Sequence, residues 1–186
     1  MSASAMPSRL SVEDYLAGEE VSDIRHEYIA GEVYAMTGAS RVHGLIAGNI
    51  HAFWRPLLRG GDCQAFISDM KVRLEIAGDD VFYYPDLVMT CDPEDRASDY
   101  CRTPCLVVEI LSPKTRRIDR REKFLAYTSM PSLLGYLLIS QELRRVELFR
   151  REHGWRPEVF CEGAVPLGCI DETLPMESVY EGVELA

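Results

Sequence analysis

A chain of 186 residues that is 47% apolar and carries a net charge of −10 is long and apolar enough to bury a sizeable core. Its acidity repels nucleic acid at long range and excludes a generally basic coat, so any nucleic-acid function needs a local basic surface. No apolar run approaches the roughly 20 residues that cross a bilayer, and the opening MSASAMPSRL lacks a basic region followed by an apolar stretch. These features predict a soluble, cytoplasmic protein with no membrane partner and with residues 1–9 disordered.

In chain order, SVEDYLAG predicts a short helix, capped by Ser11 and closed near Gly18. HEYIAGEVYAM reads as two strand-like runs meeting at Ala30-Gly31, a hairpin. In HGLIAGNIHAFWRPLLRGG, Leu45, Ile46, Ile50, Phe53, Leu57 and Leu58 recur at the spacing of an amphipathic helix that ends at Gly60-Gly61, with Pro56 as a blemish. CQAFISDMKVRLEIAG and VFYYPDLVMTC are rich in β-branched and aromatic residues. They read as adjacent strands separated by Gly78-Asp79-Asp80, with a break at Pro85.

LVVEILS is apolar on both faces apart from Glu109, which predicts a central strand covered on two sides. A helix is expected from about Arg116 to Met130, then strands LLGYLLIS and RRVELFRR around the turn Gln141-Glu142-Leu143. Residues 152–186, with Pro157, Pro166 and Pro175, read as C-terminal strands and an extension. This order predicts an α/β (α+β) fold whose central mixed β-sheet is flanked by helices, all within residues 1–186 as one domain.

Six cysteines, Cys63, Cys91, Cys101, Cys105, Cys161 and Cys169, include no C-x-x-C pair. Reduced thiols packed as small apolar groups are the expectation. Zinc on Cys91, Cys101 and Cys105 is the weaker reading.

Glu109 sets the chemical question. A carboxylate among Leu106, Val107, Val108, Ile110 and Leu111 has to be paired, bound to a cation, or placed at the lip of a site. Strand alternation puts Val107, Glu109 and Leu111 on one face. Asp86 follows Pro85 at the start of a strand. If the two strands are neighbours, both carboxylates meet and a cation between them relieves their repulsion. Hard oxygen ligands favour Mg²⁺ or Mn²⁺. Asp119, Lys123 and Tyr127 follow at i, i+4 and i+8 on one helical face, so Lys123 can project toward Asp86 and Glu109.

Other readings are blander. Asp119 suits the positive end of its helix, Tyr127 suits packing, and His43 suits a helix start. His26-Glu27 begins H-E-x-x-H, but position 30 is Ala. The cluster Lys114, Arg116, Arg117, Arg120, Arg121 and Lys123, diluted by Asp119 and Glu122, is a solvated surface or a phosphate contact. The chain contains no G-x-S-x-G, G-x-x-x-x-G-K-[ST] or G-x-G-x-x-G, so these motifs support no hydrolase elbow, P-loop or dinucleotide fold.

Pro85-Asp86, then Glu109 on an apolar strand, then a displaced Lys resembles the PD-(D/E)XK nuclease superfamily. More closely, HEYIAGEVYAM, His43, YYPDLVM, LVVEILSP, RRIDRREKFLAY and LLGYLLI resemble the Uma-two family of restriction-endonuclease-like proteins, over most of residues 10 to 150. The resemblance implies a restriction-endonuclease-like core, Mg²⁺-dependent (or Mn²⁺-dependent) endonuclease chemistry on phosphodiester bonds, DNA as the nucleic-acid partner, and a homodimer. It implies Asp86, Glu109 and the Ile110 carbonyl as metal ligands, with Glu27 and Lys123 completing the catalytic set. The pattern departs at Leu111, which stands where the superfamily's Lys is expected, and Lys123 is the substitute. Two rivals remain: a binding or regulatory module that keeps the fold without the chemistry, and a zinc-stabilised interaction protein.

Overall fold

The chain crosses between two sheets at Tyr84-Pro85-Asp86, and this crossing positions everything discussed below. The computed structural model describes residues 9–113 and 115–185, so the expectations for residues 1–8 and for Lys114 lie outside the described residues. In chain order the elements are α1 (Val12–Val21), β1 (His26–Ile29), β2 (Glu32–Ala35), α2 (Arg41–Leu57), β3 (Gln64–Ile67), β4 (Lys71–Ile76), β5 (Asp79–Tyr83), β6 (Leu87–Thr90), β7 (Tyr100–Cys101) and β8 (Pro104–Leu111). A helical stretch follows, made of α3 (Arg116–Ile118), a π-helical turn (Asp119–Lys123) and α4 (Phe124–Ser129). Then come β9 (Gly135–Ser140), β10 (Val146–Arg150), β11 (Pro157–Phe160), β12 (Ala164–Pro166), β13 (Thr173–Pro175) and α5 (Met176–Val179).

The α+β class holds, with the strands distributed over two mixed sheets and a small ribbon. One sheet runs β2-β1-β5-β4-β7, the other β11-β10-β9-β8-β6-β3, and β12 pairs with β13. In the six-stranded sheet β8 and β9 are parallel and the other pairs antiparallel.

Local chemistry explains most boundaries. Ser11 caps α1 by accepting from the Asp14 N–H at 3.0 Å, and the helix runs past Gly18 to Val21. Ser40 caps α2 in the same way through the His43 N–H at 3.1 Å. Pro56 lies one residue from the end of α2, where its lost N–H costs one hydrogen bond and no following turn. The β1–β2 and β4–β5 hairpins both turn through Ala-Gly with positive φ, 51° and 93° at Ala30-Gly31 and 53° and 90° at Ala77-Gly78. Such a turn matches strand twist and needs φ > 0 at both central residues.

β8 behaves as a central strand covered on two sides. Leu106, Val108 and Ile110 pack with Ile46, Ile50 and Trp54 of α2 and with Met176 and Val179 of α5. Val107, on the opposite face, packs with Tyr127, Tyr136 and Leu138, and with Val72, Leu74, Val81 and Tyr83 of the five-stranded sheet. The six-stranded sheet is thus held between helices on one face and α4 with the second sheet on the other.

Three expectations need correction. CQAFISDMKVRLEIAG is two strands in different sheets, because Ser68, with φ 61°, turns the chain away between β3 and β4. β6 and β8 do pair antiparallel, but their connection is no short hairpin: it carries β7 across to pair with β4 in the other sheet. The reduced-thiol reading fails for Cys63 and Cys91, which are disulfide-bonded with Cα atoms 3.9 Å apart. β3 pairs with β6 so that Gln64 faces Thr90, and extending that register by one residue sets the two cysteines opposite each other, a proximity that spacing along the chain conceals.

Gly135 on β9 lies against Leu106 on β8, where an added Cβ would come within 2.7 Å of the buried Leu106 Cδ1. Gly135→Ala should lower stability by about 1–3 kcal/mol through overpacking. Urea unfolding measures this, and an unchanged midpoint would show that Leu106 repacks without cost.

Candidate active site

Leu87 pairs with Val108 across β6 and β8, so continuing the register by one residue sets Asp86 opposite Glu109. Directly opposed residues of an antiparallel pair share a face with Cβ atoms about 4.5–5.5 Å apart. Asp86 is tied down twice. Its Oδ2 accepts from the Ile110 N–H at 2.6 Å, and its Oδ1 lies 2.9 Å from His43 Nε2 at the start of α2. Asp86 and His43 keep 18% and 14% of their side-chain surface, against 4% for Glu109, so water reaches the site from the Asp86 end.

The cation beside Glu109 is Lys123. Its Nζ lies 3.1 Å from Glu109 Oε1, 2.8 Å from Glu27 Oε1 on β1 and 3.7 Å from Asp119 Oδ1. The Tyr83 ring lies beneath the same ammonium at 5.5 Å, a cation–π contact. The Glu27 contact is close but poorly aligned, and among the described residues Glu27 Oε1 and Asp119 Oδ1 find no well-directed hydrogen-bond partner. These are ion pairs held by proximity. The π-helical turn widens the backbone from Asp119 to Lys123 and buries both side chains; such turns occur mostly as single insertions. Tyr136 steadies the turn by donating to the Asp119 carbonyl at 2.9 Å. The buried Tyr127 hydroxyl has no hydrogen-bond partner among the described residues.

Charge is out of balance here: Glu27, Glu109 and Asp119 enclose one lysine, and Asp86 adds a fourth carboxylate beside Glu109. Burial alone would lower Lys123, but Glu109, then Glu27 and Asp119, outweigh it and hold the ammonium well above its usual range. Burial pushes Glu109 up. Lys123 opposes this, and Asp86, Asp119 and Glu27 add to it. Both members of the pair thus hold a proton more tightly than usual, Lys123 through its carboxylate neighbours and Glu109 chiefly through burial. Asp119 is raised as well, chiefly by burial, with Lys123 opposing.

Over residues 12–176 the chain matches the Uma2 family, described as "Putative restriction endonuclease". The chain belongs to the Uma2 family. It is 40% identical over 151 residues to an uncharacterized Synechocystis sp. protein (slr1290), covering 81% of this chain and 78% of that one. It is 32% identical over 145 residues to a second uncharacterized protein of that organism (sll1609), covering 76% and 81%. The fold matches the crystal structure of "a putative nuclease belonging to DUF820" from Anabaena variabilis with a TM-score of 0.71, at 18% identity, over 88% of this chain and 93% of that one.

In this Uma2 chain Glu27, Asp86, Glu109 and Lys123, singled out from the sequence, come together, with the Ile110 backbone bonded to Asp86. Asp119, near the start of its helical stretch, joins them in the interior. The i, i+4 spacing to Lys123 was the signal. His43, which the sequence suits to a helix start, also faces Asp86, a contact that spacing conceals because its partner lies far along the chain. Cys101 donates to Asp95 Oδ2 at 3.0 Å and packs in a different apolar cluster from Cys91 and Cys105, while Cys91 is taken up by a disulfide, so the three do not converge on a zinc ion. Among the described residues, no three His, Cys, Asp or Glu side chains form a ready-made metal cage. The basic cluster divides: Arg120 is committed to Glu147 by two hydrogen bonds of 2.7 and 2.8 Å, while Arg116, Arg117 and Arg121 are exposed.

Because Glu109 accepts a proton more readily folded than unfolded, its contribution to stability is full below the ordinary carboxyl value of 4.5 and is lost as pH rises through its raised value. Glu109→Gln, which cannot ionise, should therefore gain stability relative to the wild type as pH rises above about 4.5. Unfolding of both proteins by urea across that range measures the gain. A difference independent of pH would mean that Glu109 ionises normally.

Proposed function

We propose that this protein is a divalent-metal-dependent endonuclease that hydrolyses phosphodiester bonds of DNA. The observation that supports it best is the opposition of Asp86 and Glu109 across β6 and β8 with Lys123 on Glu109, in a chain of a restriction-endonuclease-like family. The donor set suits Mg²⁺ or Mn²⁺. The ligands are hard oxygens, the cluster carries more negative charge than Lys123 offsets, and Glu27 Oε1 and Asp119 Oδ1 are buried without directed partners among the described residues. Asp86, Glu109 and the Ile110 carbonyl would hold the ion, the other sites being left to water and substrate. Bound there, a divalent cation supplies polarisation of the phosphate and of the attacking water.

The chain's own groups do the rest. His43 and the Ile110 N–H fix the angle of Asp86, leaving lone pairs on both oxygens for a ligand. Lys123, firmly protonated, serves as a donor that orients water and offsets charge growing on phosphorus, not as the base. Glu27 holds the ammonium toward the site. Arg116, Arg117 and Arg121, on the helical stretch that delivers Lys123, supply the local positive surface that an acidic protein needs to meet phosphates. Cutting both strands takes two such sites, so the reading includes a homodimer. Among the described residues no helix is long and apolar enough to cross a membrane.

A second reading, a binding module that retains the fold without catalysis, is favoured by the net charge of −10 and by the three carboxylates that enclose Lys123. Metal binding separates the two readings, since a module with no use for a cation should take up none.

Asp86→Asn and Glu109→Gln should each cut Mg²⁺- or Mn²⁺-dependent nicking of supercoiled plasmid by at least about a hundredfold and weaken Mn²⁺ binding in calorimetry. Lys123→Met should leave Mn²⁺ binding within a few-fold while cleavage falls about a hundredfold. Wild-type cleavage in either carboxylate variant would sink the metal assignment, and unchanged turnover in Lys123→Met would remove that residue from the chemistry.

A further inference from the structure

Away from this site, four of the six cysteines gather at the margin of the core beneath α2. Cys63 and Cys91 form the disulfide between the ends of β3 and β6. The Cys105 sulfur lies 3.6 Å from that of Cys91. Cys169, in the segment between β12 and β13, packs on the core cluster that contains Cys105. The Cys105 sulfur, ahead of burial, holds the Cys169 thiol well above its usual range. Cys105 and Cys169 are free, and Cys63, Cys91 and Cys169 all pack on the core.

The backbone turns Cys105 toward the disulfide. Where β6 pairs with β8, Met89 faces Leu106 but Thr90 faces Pro104, so Cys105 is the unpaired extra residue of a β-bulge. Bulges redirect side chains, and this one presents Cys105 to Cys91. A disulfide kept only for stability is best isolated from free thiols, because a thiolate in contact exchanges with it. Here a third sulfur touches the bond and a fourth stands behind it.

We propose that Cys63, Cys91, Cys105 and Cys169 form an intramolecular thiol–disulfide exchange site. Cys105 gives up its proton and attacks the Cys91 sulfur. The Cys91–Cys105 bond forms as the Cys63–Cys91 bond breaks, and the Cys63 thiolate leaves and takes up the equivalent of the released proton. The bond is moved with no net oxidation, so no oxidant or reductant is consumed. Cys169, packed on the same apolar cluster, is the reserve partner for Cys105. The move exchanges a staple between the edge strand β3 and β6 for one between β6 and β8, and it leaves the half-buried Cys63 open to an external thiol or alkylating agent. The site stands on sulfur geometry alone and is independent of the nuclease reading.

The test uses the full-length oxidised protein at mildly alkaline pH without added reductant. Samples are quenched over time with N-ethylmaleimide, digested and mapped by mass spectrometry. In the wild type, the expected result is a Cys63–Cys91 population that declines as Cys91–Cys105 and alkylated Cys63 grow in parallel. Cys105→Ser should hold all of the disulfide at Cys63–Cys91 and slow its reduction by dithiothreitol about tenfold or more, and Cys169→Ser should retain exchange at a changed rate. A wild type that shows only Cys63–Cys91 throughout overturns the proposal. So does purified protein with four free thiols in this cluster, or with stoichiometric zinc bound to them. The wild-type map decides the matter even if a variant fails to fold.

Discussion

Burial of one ammonium among carboxylates organises this fold. Lys123 can be removed from water only because Glu109, Glu27 and Asp119 replace its hydration. These partners come from three places: the middle of the six-stranded sheet, the first strand of the other sheet, and the widened helical turn. A buried ion pair adds little net stability over a well-packed apolar pair, but losing one partner is expensive. The cluster therefore fixes how the two sheets and the turn meet rather than contributing much to holding them together. Asp86 stands outside this interior group, anchored by Ile110 and His43 at the wetter end.

Much of this was legible in the sequence where chemistry is local or periodic. Ser11 as a cap, Ala30-Gly31 as a hairpin and the amphipathic α2 follow from propensity and spacing. Glu109 stood out because nothing else in LVVEILS is charged, and strand alternation gave its face correctly. The pairing of β6 with β8 was a conditional inference from one carboxylate in each, and the register bears it out. What spacing could not disclose is contact between distant segments: His43 beside Asp86, Glu27 on a different sheet from Glu109, or Cys63 opposite Cys91. The split of CQAFISDMKVRLEIAG was hidden too, since an apolar run across a positive-φ serine looks no different from one continuous strand.

The sulfur cluster and the carboxylate cluster share a frame without touching. β6 begins just after Asp86 and ends just before Cys91, and β8 carries Cys105 and Glu109 along one strand. One end of this strand pair is thus occupied by hard oxygen donors and the other by soft, polarisable sulfur. The two sets differ in the ions and reagents they select, so each end can be probed chemically with little interference from the other.

The crossing at Pro85 has a kinetic consequence. Because the chain changes sheets between β5 and β6, Glu27 on β1 lies far along the chain from Glu109 and Lys123, and no local hairpin can bring it to them. Loops of that size must close before any reward is gained, which slows folding of such topologies. The carboxylate cluster should then assemble only at the last docking step, after each sheet has formed by itself. Like charges are thus kept apart in the partly folded chain, and they are gathered only when the lysine that compensates them arrives on its helical turn.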